Sequence, residues 1–312
     1  MSTQEDDEYL ALDGYKLFYE MQGRKFNALN QTYMLPADDE EIERFNLFHR
    51  LVKWIFGGNS VPGPVQETLQ SGDHRASVLD VGTGRGDWAV ELCDMFPSVH
   101  VTGVDLVPIQ YQEVPLKCLF EIWDANAHYL PYGDRHFDFV HARAVHTGIV
   151  DYPRFLREIG RILRPGGTIL LIEPDLRQWP ELKFKHGAGP RGWFTFWETY
   201  RSCLFASGID VTVPQRLKRL LEETDVFEQI QELEGEIPVG FYPISEALLT
   251  VGQLQWMVYN LLLPALKPMF LALGLPETSV DQIIKDAQHD LYYSKFKLSS
   301  RLRIAYAIRR RN

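Results

Sequence analysis

Residues Val78 to Gly86 read VLDVGTGRG, a short apolar run followed by three closely spaced glycines. Glycines that follow a strand let the backbone turn tightly and approach a ligand closely. A dinucleotide site has the spacing G-x-G-x-x-G, but here Asp87 stands where its third glycine would be. The Gly-Lys-Ser/Thr of a phosphate-binding P-loop is also absent. The loop therefore indicates a ligand that is neither a dinucleotide nor a nucleoside triphosphate.

Short apolar runs alternate with amphipathic stretches along the chain from this loop onward. Such alternation is typical of a parallel sheet that is covered by helices on both faces. The predicted strands are SVLDVG, HVTGVDL, CLFEIWDA, FDFVHARA, TILLIEPD, VFEQIQELEGEIPVG and RLRIAYAIRRR. The pattern predicts the α/β class, with a Rossmann-like sheet of seven strands.

The two flanking segments have a different character. ADDEEIERFNLFHRLVKWIF begins with acidic residues and then repeats apolar residues at helical spacing. After Pro180 the strand alternation gives way to an aromatic helical stretch, RGWFTFWETYRSCLF. We therefore expect an N-terminal helical lid over residues 1–75 and a Rossmann-like core over residues 76–180. Residues 181–312 would form a helical cap and the last two strands.

Composition limits the classes of partner. The 312 residues carry a net charge of −10, which disfavours a nucleic-acid partner because phosphate binding relies on cations. The three cysteines are far apart and show no zinc spacing, so we expect no metal site and a reduced, cytoplasmic location. Polar residues and prolines interrupt the apolar segment 247–275, which predicts a buried helical hairpin and no membrane span.

Two carboxylates follow predicted strands next to the loop. Asp105 ends the second strand, where it can accept both hydroxyls of a ribose. Asp124 ends the third strand and can accept an adenine amino group, with Leu106 and Trp123 packed on the adenine faces. Both carboxylates could instead cap helices. Asp80 is expected to fix the glycine loop.

Four motifs in this order resemble those of the class I S-adenosylmethionine-dependent methyltransferases. They are GTGRGDW, GVDL, FDFVHARAV and LRPGGTILLIEPD, within about residues 76–180. The resemblance implies S-adenosyl-L-methionine as cofactor and S-adenosyl-L-homocysteine as its product. The cofactor-binding residues expected on this basis are Tyr33, Asp80, Gly82, Thr83, Gly84, Asp105, Leu106, Trp123, Asp124, Ala125 and His141.

The N-terminal segment YMLPADDEEIERFNLFHRLVKW resembles the corresponding segment of fungal LaeA-like methyltransferases. That family includes regulators of secondary metabolism and small-molecule methyltransferases. Phe45-Asn46 replaces the more frequent Leu-Asp of the family, and His49 stands alone where a histidine pair is common. The resemblance implies that the helix of His49, together with Tyr33, covers the cofactor.

Three histidines are candidates for acid–base chemistry, because a phenol or enol acceptor needs a modest base whereas a carboxylate needs none. They are His49 on the lid helix, and His141 and His146 after the fourth strand. His49 could equally serve as a hydrogen-bonding residue of the lid, and His141 could contact only the cofactor.

Four further residues are candidates for acceptor contacts. Arg143 could hold an anionic acceptor or form a structural ion pair, and Glu173 ends the fifth strand. Trp193 and Trp197 could form a wall for a flat acceptor or the core of the cap.

These observations predict O-methylation of a small aromatic or polyketide-like secondary metabolite by a monomer or homodimer. The alternative is a LaeA-like regulator that acts through protein partners.

Overall fold

The computed structural model describes an α/β fold that is built on one seven-stranded sheet. The described residues are 10–11, 15–58, 61, 65–70, 76–179 and 189–311. The strands of the sheet are β1 (Ser77–Val81), β2 (His100–Asp105), β3 (Cys118–Ile122), β4 (Phe137–Arg143), β5 (Leu163–Trp179), β6 (Phe227–Val239) and β7 (Leu298–Arg309). Short antiparallel ladders pair Leu10–Ala11 with Tyr15–Lys16 and Phe18–Met21 with Arg24–Asn27.

The strand order is β6–β7–β5–β4–β1–β2–β3. Strands β1 to β5 are parallel, whereas β7 is antiparallel to both of its neighbours, β5 and β6. The predicted seven-stranded, Rossmann-like sheet is therefore confirmed. Because parallel strands all end at one edge, the loops after β1, β2, β3, β4 and β5 are brought together there.

Strand β5 is longer than the sequence predicts. LRPGG was expected to precede the strand, but Leu163 already pairs with Phe137 of β4. The register shifts before Thr168 pairs with Phe139. This irregularity lets the glycine-containing segment join the strand without breaking it.

The helices cover both faces and the carboxyl edge of the sheet. In the described residues they are α1 (Asp39–Ile55), α2 (Val65–Gln70), α3 (Asp87–Met95), α4 (Tyr152–Ile162), α5 (Arg191–Ala206), α6 (Leu217–Glu223), α7 (Glu246–Ala265), α8 (Lys267–Ala272) and α9 (Glu277–Tyr293). Helix α1 packs against α7, and α5 packs against α9. The lid helix and the cap helices therefore meet over the strand ends.

Local sequence explains where helices begin. Asp38 caps α1 by accepting the backbone N–H of Glu41, and three acidic residues in the first turn complement the helix dipole. Asp151 caps α4 by accepting the N–H of Arg154. The apolar residues of α4 recur at helical spacing, which predicts one apolar face. This face is buried against the sheet.

The apolar segment 247–275 forms α7, α8 and the turn after them. None of the helices in the described ranges has both the length and the apolar character that crossing a membrane requires. The domain boundaries predicted near residues 75 and 180 fall on positions outside the described ranges, so the division stays a prediction.

Candidate active site

A cavity lies at the carboxyl edge of the sheet, between the ends of β1, β2 and β4 and helix α1. We refer to it as the outer cavity. Its wall contains Asn30, Tyr33, Phe45, His49, Gly82, Thr83, Gly84, Asp105, Leu106, Trp123, Asp124, Ala125, Arg143 and Ala144.

Asp105 connects the glycine loop to this cavity. Its Oδ2 accepts the N–H of Gly84 at 2.7 Å, and its Oδ1 accepts the N–H of Leu106 at 2.7 Å. Gly84 has a φ of +58°, and no atom lies within 4 Å of the position that a Cβ would occupy. Desolvation raises the pKa of Asp105 to about 6, despite these backbone hydrogen bonds. The carboxylate is thus suited to a ligand that donates hydrogen bonds.

The N-terminal segment is tied to the outer cavity through Asn30. Its side-chain amide donates to the carbonyl of Gly148 at 3.1 Å and to Asp124 Oδ1 at 3.3 Å, and its Oδ1 accepts the N–H of Tyr33 at 3.1 Å. Asp124 Oδ1 also accepts the backbone N–H of Asn126 at 2.9 Å. Asn30 therefore closes one side of the cavity, a role for which the isolated asparagine gives no sequence signal.

Asp80 and His141 lie beneath the glycine loop. Asp80 accepts the Thr83 hydroxyl at 2.7 Å, and its Oδ1 lies 2.7 Å from Nδ1 of His141. The His141 ring stacks on Trp88 with a centroid distance of 4.0 Å. Burial lowers the pKa of His141, which favours the neutral ring. Neither Asp80 nor His141 belongs to the wall of the outer cavity.

His49 on α1 has Arg143 beside one ring nitrogen and Glu91 near the other, but only the contact with Arg143 has the geometry of a hydrogen bond. Nη2 of Arg143 lies 3.1 Å from Nδ1 of His49, and since a guanidinium can only donate, Nδ1 is the acceptor. Nε2 of His49 lies 3.2 Å from Glu91 Oε1, which is also 2.8 Å from Nζ of Lys53. Burial lowers the pKa of Arg143. The arrangement positions the Arg143 guanidinium at the outer cavity and occupies the lone pair that a general base would need.

A second cavity adjoins the first one. We refer to it as the inner cavity; Phe45 and Ala144 line both. Ala144 has a φ of +57°, a left-handed conformation that is unusual for a residue with a side chain. The wall comes from α1, α5, α7, the loop after β4 and the ends of β5, β6 and β7. It contains Leu35, Arg44, Phe45, Phe48, Ala144, His146, Thr147, Pro174, Asp175, Leu176, Trp197, Tyr200, Ile237, Gln255, Val258, Tyr259, Leu262, Ser300, Arg301 and Leu302.

His146 lines the inner cavity and has a protein partner at only one ring nitrogen within the described ranges. Its Nδ1 lies 2.7 Å from Oε2 of Glu173, which is fully buried behind the wall and lines neither cavity. The other carboxylate oxygen accepts the Tyr152 hydroxyl at 3.2 Å. Nε2 of His146 is buried and has no hydrogen-bond partner within the described ranges. With Nδ1–H donated to Glu173, Nε2 retains a lone pair, and no protein group of the described ranges occupies it.

The two predicted acceptor tryptophans have different surroundings. Trp197 lines the inner cavity, whereas Trp193, one helical turn earlier on α5, lies behind it. The two rings pack edge to face with a centroid distance of 5.7 Å, and each also contacts Tyr259. Both indole nitrogens are buried without a hydrogen-bond partner among the described residues.

The structure therefore divides the predicted site residues into three groups. Those at the outer cavity are Tyr33, His49, Gly82, Thr83, Gly84, Asp105, Leu106, Trp123, Asp124, Ala125 and Arg143. His146 and Trp197 are at the inner cavity. Asp80, His141, Glu173 and Trp193 line neither cavity.

Sequence reasoning missed Arg44 and Ala144 at the inner cavity. Arg44 forms an ion pair with Glu41 on the same helix. Opposite charges three positions apart in a helical sequence ordinarily indicate a pair on the protein surface. Alanine rarely adopts a left-handed backbone conformation, so the sequence does not predict the positive φ of Ala144.

A family model described as a methyltransferase domain matches residues 54–226, more than half of the chain. The chain belongs to this family of methyltransferases, and its cofactor is S-adenosyl-L-methionine.

Curated proteins that are similar to this chain include LaeA-like relatives. The secondary metabolism regulator laeA of Coprinopsis cinerea is 32% identical over 302 residues, which cover 93% of this chain and 73% of the relative. The protein-methionine methyltransferase laeA of Emericella nidulans is 30% identical, over 57% of this chain and 46% of its own length. Methyltransferase pytC of Aspergillus terreus is 28% identical, over 74% of this chain and 69% of the relative. The chain thus spans about half the length of the Emericella nidulans relative, and the predicted LaeA-like resemblance is confirmed.

The residues of the outer cavity fit this cofactor. Asp105 offers a desolvated carboxylate for the two ribose hydroxyls, and Asp124 offers an acceptor for the adenine amino group. Trp123 and Leu106 supply apolar surface for the base. The open space at Gly84 allows close approach to the backbone. The methyl donor is a sulfonium compound without phosphate groups, so the cavity needs no phosphate-binding residues.

Proposed function

We propose that the chain transfers the methyl group of S-adenosyl-L-methionine to an oxygen of a small acceptor bound in the inner cavity. The observation that carries this proposal is the pair of His146 and Glu173. His146 lines a cavity that adjoins the outer cavity at Ala144 and Phe45, and its Nε2 is buried without a hydrogen-bond partner among the described residues.

The chemistry requires little from the protein beyond position and a base. When bound, S-adenosyl-L-methionine would supply a methyl group activated by its sulfonium, with S-adenosyl-L-homocysteine as the leaving group. Nε2 of His146 accepts the proton of the acceptor hydroxyl, which frees the oxygen lone pair for the transfer. Glu173 holds the ring through Nδ1–H and stabilises the imidazolium that forms. The arrangement resembles a triad in which a carboxylate orients the base.

The surroundings of the inner cavity favour a small, flat acceptor. Its aromatic wall includes Trp197, Tyr200 and Tyr259, each at most 6% exposed. Helices α1, α5 and α7 contribute to this wall. Apolar walls with a few convergent polar groups are typical of small-molecule sites. A phenol or enol of aromatic or polyketide-like type matches both the walls and the base.

The direct test is mass-spectrometric detection of methylated product after incubation with S-adenosyl-L-methionine and a panel of phenols, enols and carboxylic acids. We expect one more methyl group on a phenol or enol, and a loss of roughly 10²-fold or more in kcat for His146→Gln. Binding of S-adenosyl-L-homocysteine by His146→Gln serves as the control for folding. Tight cofactor binding without turnover of any acceptor would count against the proposal.

A second candidate is a LaeA-like regulator that acts through protein partners. This candidate is favoured by the relatives of the chain, one of which is called a secondary metabolism regulator and another a protein-methionine methyltransferase. An aromatic cluster on the cap also favours it, because the exposed rings of Phe241, Tyr292 and Tyr293, linked through the half-buried Trp256, form a surface suited to a partner. Incubation with labelled S-adenosyl-L-methionine and cell protein distinguishes the two: label in a protein methionine supports this candidate, and label only in small molecules opposes it. A cytoplasmic location is expected for the small-molecule enzyme and a nuclear one for the regulator, and a monomeric or homodimeric state remains an expectation.

A further inference from the structure

We infer that Trp197 determines acceptor specificity, and that the acceptor is an uncharged hydroxyl compound with a second, hydrogen-bond-accepting oxygen such as a ketone carbonyl. In this assignment the hydroxyl meets Nε2 of His146, and the second oxygen meets Nε1–H of Trp197. The inference rests on the proposed function, since it describes the acceptor of that reaction.

The first support is that one ring acceptor and one ring donor, both unmatched, belong to residues that line the same cavity. Nε2 of His146 and Nε1 of Trp197 are both buried without a hydrogen-bond partner within the described ranges. Their residues are 1% and 2% exposed, and both line the inner cavity. Buried polar groups are nearly always hydrogen-bonded, so two such atoms beside an open space indicate a ligand that satisfies both. One atom accepts and the other donates, which requires a donor and an acceptor on the ligand.

The second support is the charge balance of the wall. Arg44 lies 2.6 Å from Glu41, and Arg301 lies 2.7 Å from Glu234. Asp175 lies 2.9 Å from Arg177. Arg44, Arg301 and Asp175 thus each have an oppositely charged neighbour, and Glu173 adds a carboxylate behind the neutral ring of His146. An anionic acceptor would bring an uncompensated charge into an apolar space, which is costly.

Trp193 provides the matched control. It is the same residue type on the same helix, is also fully buried, and also has an indole nitrogen without a partner in the described part of the chain. It does not line the inner cavity. Trp193→Phe and Trp197→Phe therefore remove the same atoms from the same helix, but only Trp197→Phe removes a donor from the cavity wall.

The test uses the full chain saturated with S-adenosyl-L-homocysteine and two phenols of similar shape, 4-hydroxyacetophenone and 4-ethylphenol. With ¹⁵N-labelled tryptophan, the indole signal of Trp197, assigned through Trp197→Phe, should move downfield with the ketone and not with the ethyl compound. Trp197→Phe should weaken binding of the ketone roughly tenfold while changing that of 4-ethylphenol less than about threefold. Trp193→Phe should leave both affinities within about threefold. 4-Hydroxybenzoate should bind at least about tenfold more weakly than the ketone.

Equal losses for both phenols in Trp197→Phe would overturn the inference, because Trp197 would then be only an apolar wall. Failure of every phenol to bind would overturn it as well, and so would preferred binding of 4-hydroxybenzoate. If the ketone binds with the expected shift of the Trp197 signal but is not methylated in the presence of S-adenosyl-L-methionine, the proposed function fails while the recognition by Trp197 stands. The binding and turnover measurements thus separate the two.

Discussion

Nδ1 of His146 lies 2.7 Å from Oε2 of Glu173, although the two residues are 27 positions apart in the chain. His146 follows β4 and Glu173 lies in β5, so the parallel pairing of these neighbouring strands brings the two side chains together. Glu173 also accepts the backbone N–H groups of Val145 and His146, at 3.3 and 3.4 Å. These contacts orient the loop after β4 as well as the ring.

Glu173→Gln is expected to lower kcat for an alkyl phenol roughly 10- to 100-fold, because the ring loses the carboxylate that orients it and stabilises its charged form. The loss should shrink to less than about threefold for a nitrophenol, whose more acidic hydroxyl gives up its proton with less help from a base. Steady-state kinetics with both acceptors provide the measurement. A merely structural role for Glu173 would lower both rates alike, and that result would contradict the prediction.

The affinity for S-adenosyl-L-homocysteine should fall as the pH is lowered through about 6, the raised pKa of Asp105. Protonated Asp105 is a poorer acceptor for the ribose hydroxyls, so binding requires loss of its proton. The dissociation constant should then increase up to about tenfold per pH unit below this value. Isothermal titration calorimetry between pH 5 and 7.5 measures the effect. Asp105→Asn should bind S-adenosyl-L-homocysteine more weakly at pH 7.5, and its affinity should no longer depend on pH in this range. If the affinity of Asp105→Asn falls with pH as steeply as that of the wild type, another group is responsible for the pH dependence.

His49→Asn and His49→Phe test whether His49 is a base or a positioning residue. Asn retains an acceptor close to the Nδ1 position and can still receive the hydrogen bond of Arg143, whereas Phe cannot. We expect His49→Asn to stay within about fivefold of the wild-type kcat, and His49→Phe to raise KM for S-adenosyl-L-methionine roughly tenfold. Losses of more than 10²-fold in kcat for both variants would instead support His49 as the base.

Ala144 separates the two cavities, and its left-handed backbone makes substitution informative. Ala144→Val should destabilise the fold by about 1–2 kcal/mol and lower kcat more than cofactor affinity, because a larger branched side chain is strained at positive φ and fills the junction. Urea unfolding and initial rates measure the two effects. Gln22 has a φ of +55° in the exposed turn of the N-terminal ladder, so Gln22→Val serves as a control with similar strain and unchanged activity. Equal kcat for wild type and Ala144→Val would show that the junction is not on the transfer path.

The buried pair of His141 and Asp80 should make stability depend on pH. Burial lowers the pKa of His141, so the unfolded chain binds more protons than the folded chain below about pH 6.5. The contribution of His141 is therefore fully present above its unfolded pKa and is lost as the pH falls toward the lowered value. His141→Asn retains a donor for Asp80 but does not titrate. The difference in free energy of unfolding between wild type and His141→Asn should decrease from pH 7.5 to 5.5; a constant difference would contradict this.

The amino-acid sequence by itself determined the sheet and the cofactor. Strand periodicity, the glycine spacing after β1 and the acidic residue at the end of β2 are local signals, because each is fixed by backbone geometry within a few residues. Asp105 and Gly84 could be assigned in this way, and the structure places them in hydrogen-bonding contact.

Only the tertiary structure decided what each histidine and tryptophan faces. His49, His141 and His146 look equivalent in the sequence, but Arg143, Asp80 and Glu173 engage one ring nitrogen of each. Of the three histidines, only His146 lines the inner cavity. Likewise, one turn of α5 separates Trp197 at the cavity from Trp193 behind it. These roles depend on long-range packing of α1, α5 and α7 over the strand ends, and that packing leaves no periodic signal in the sequence.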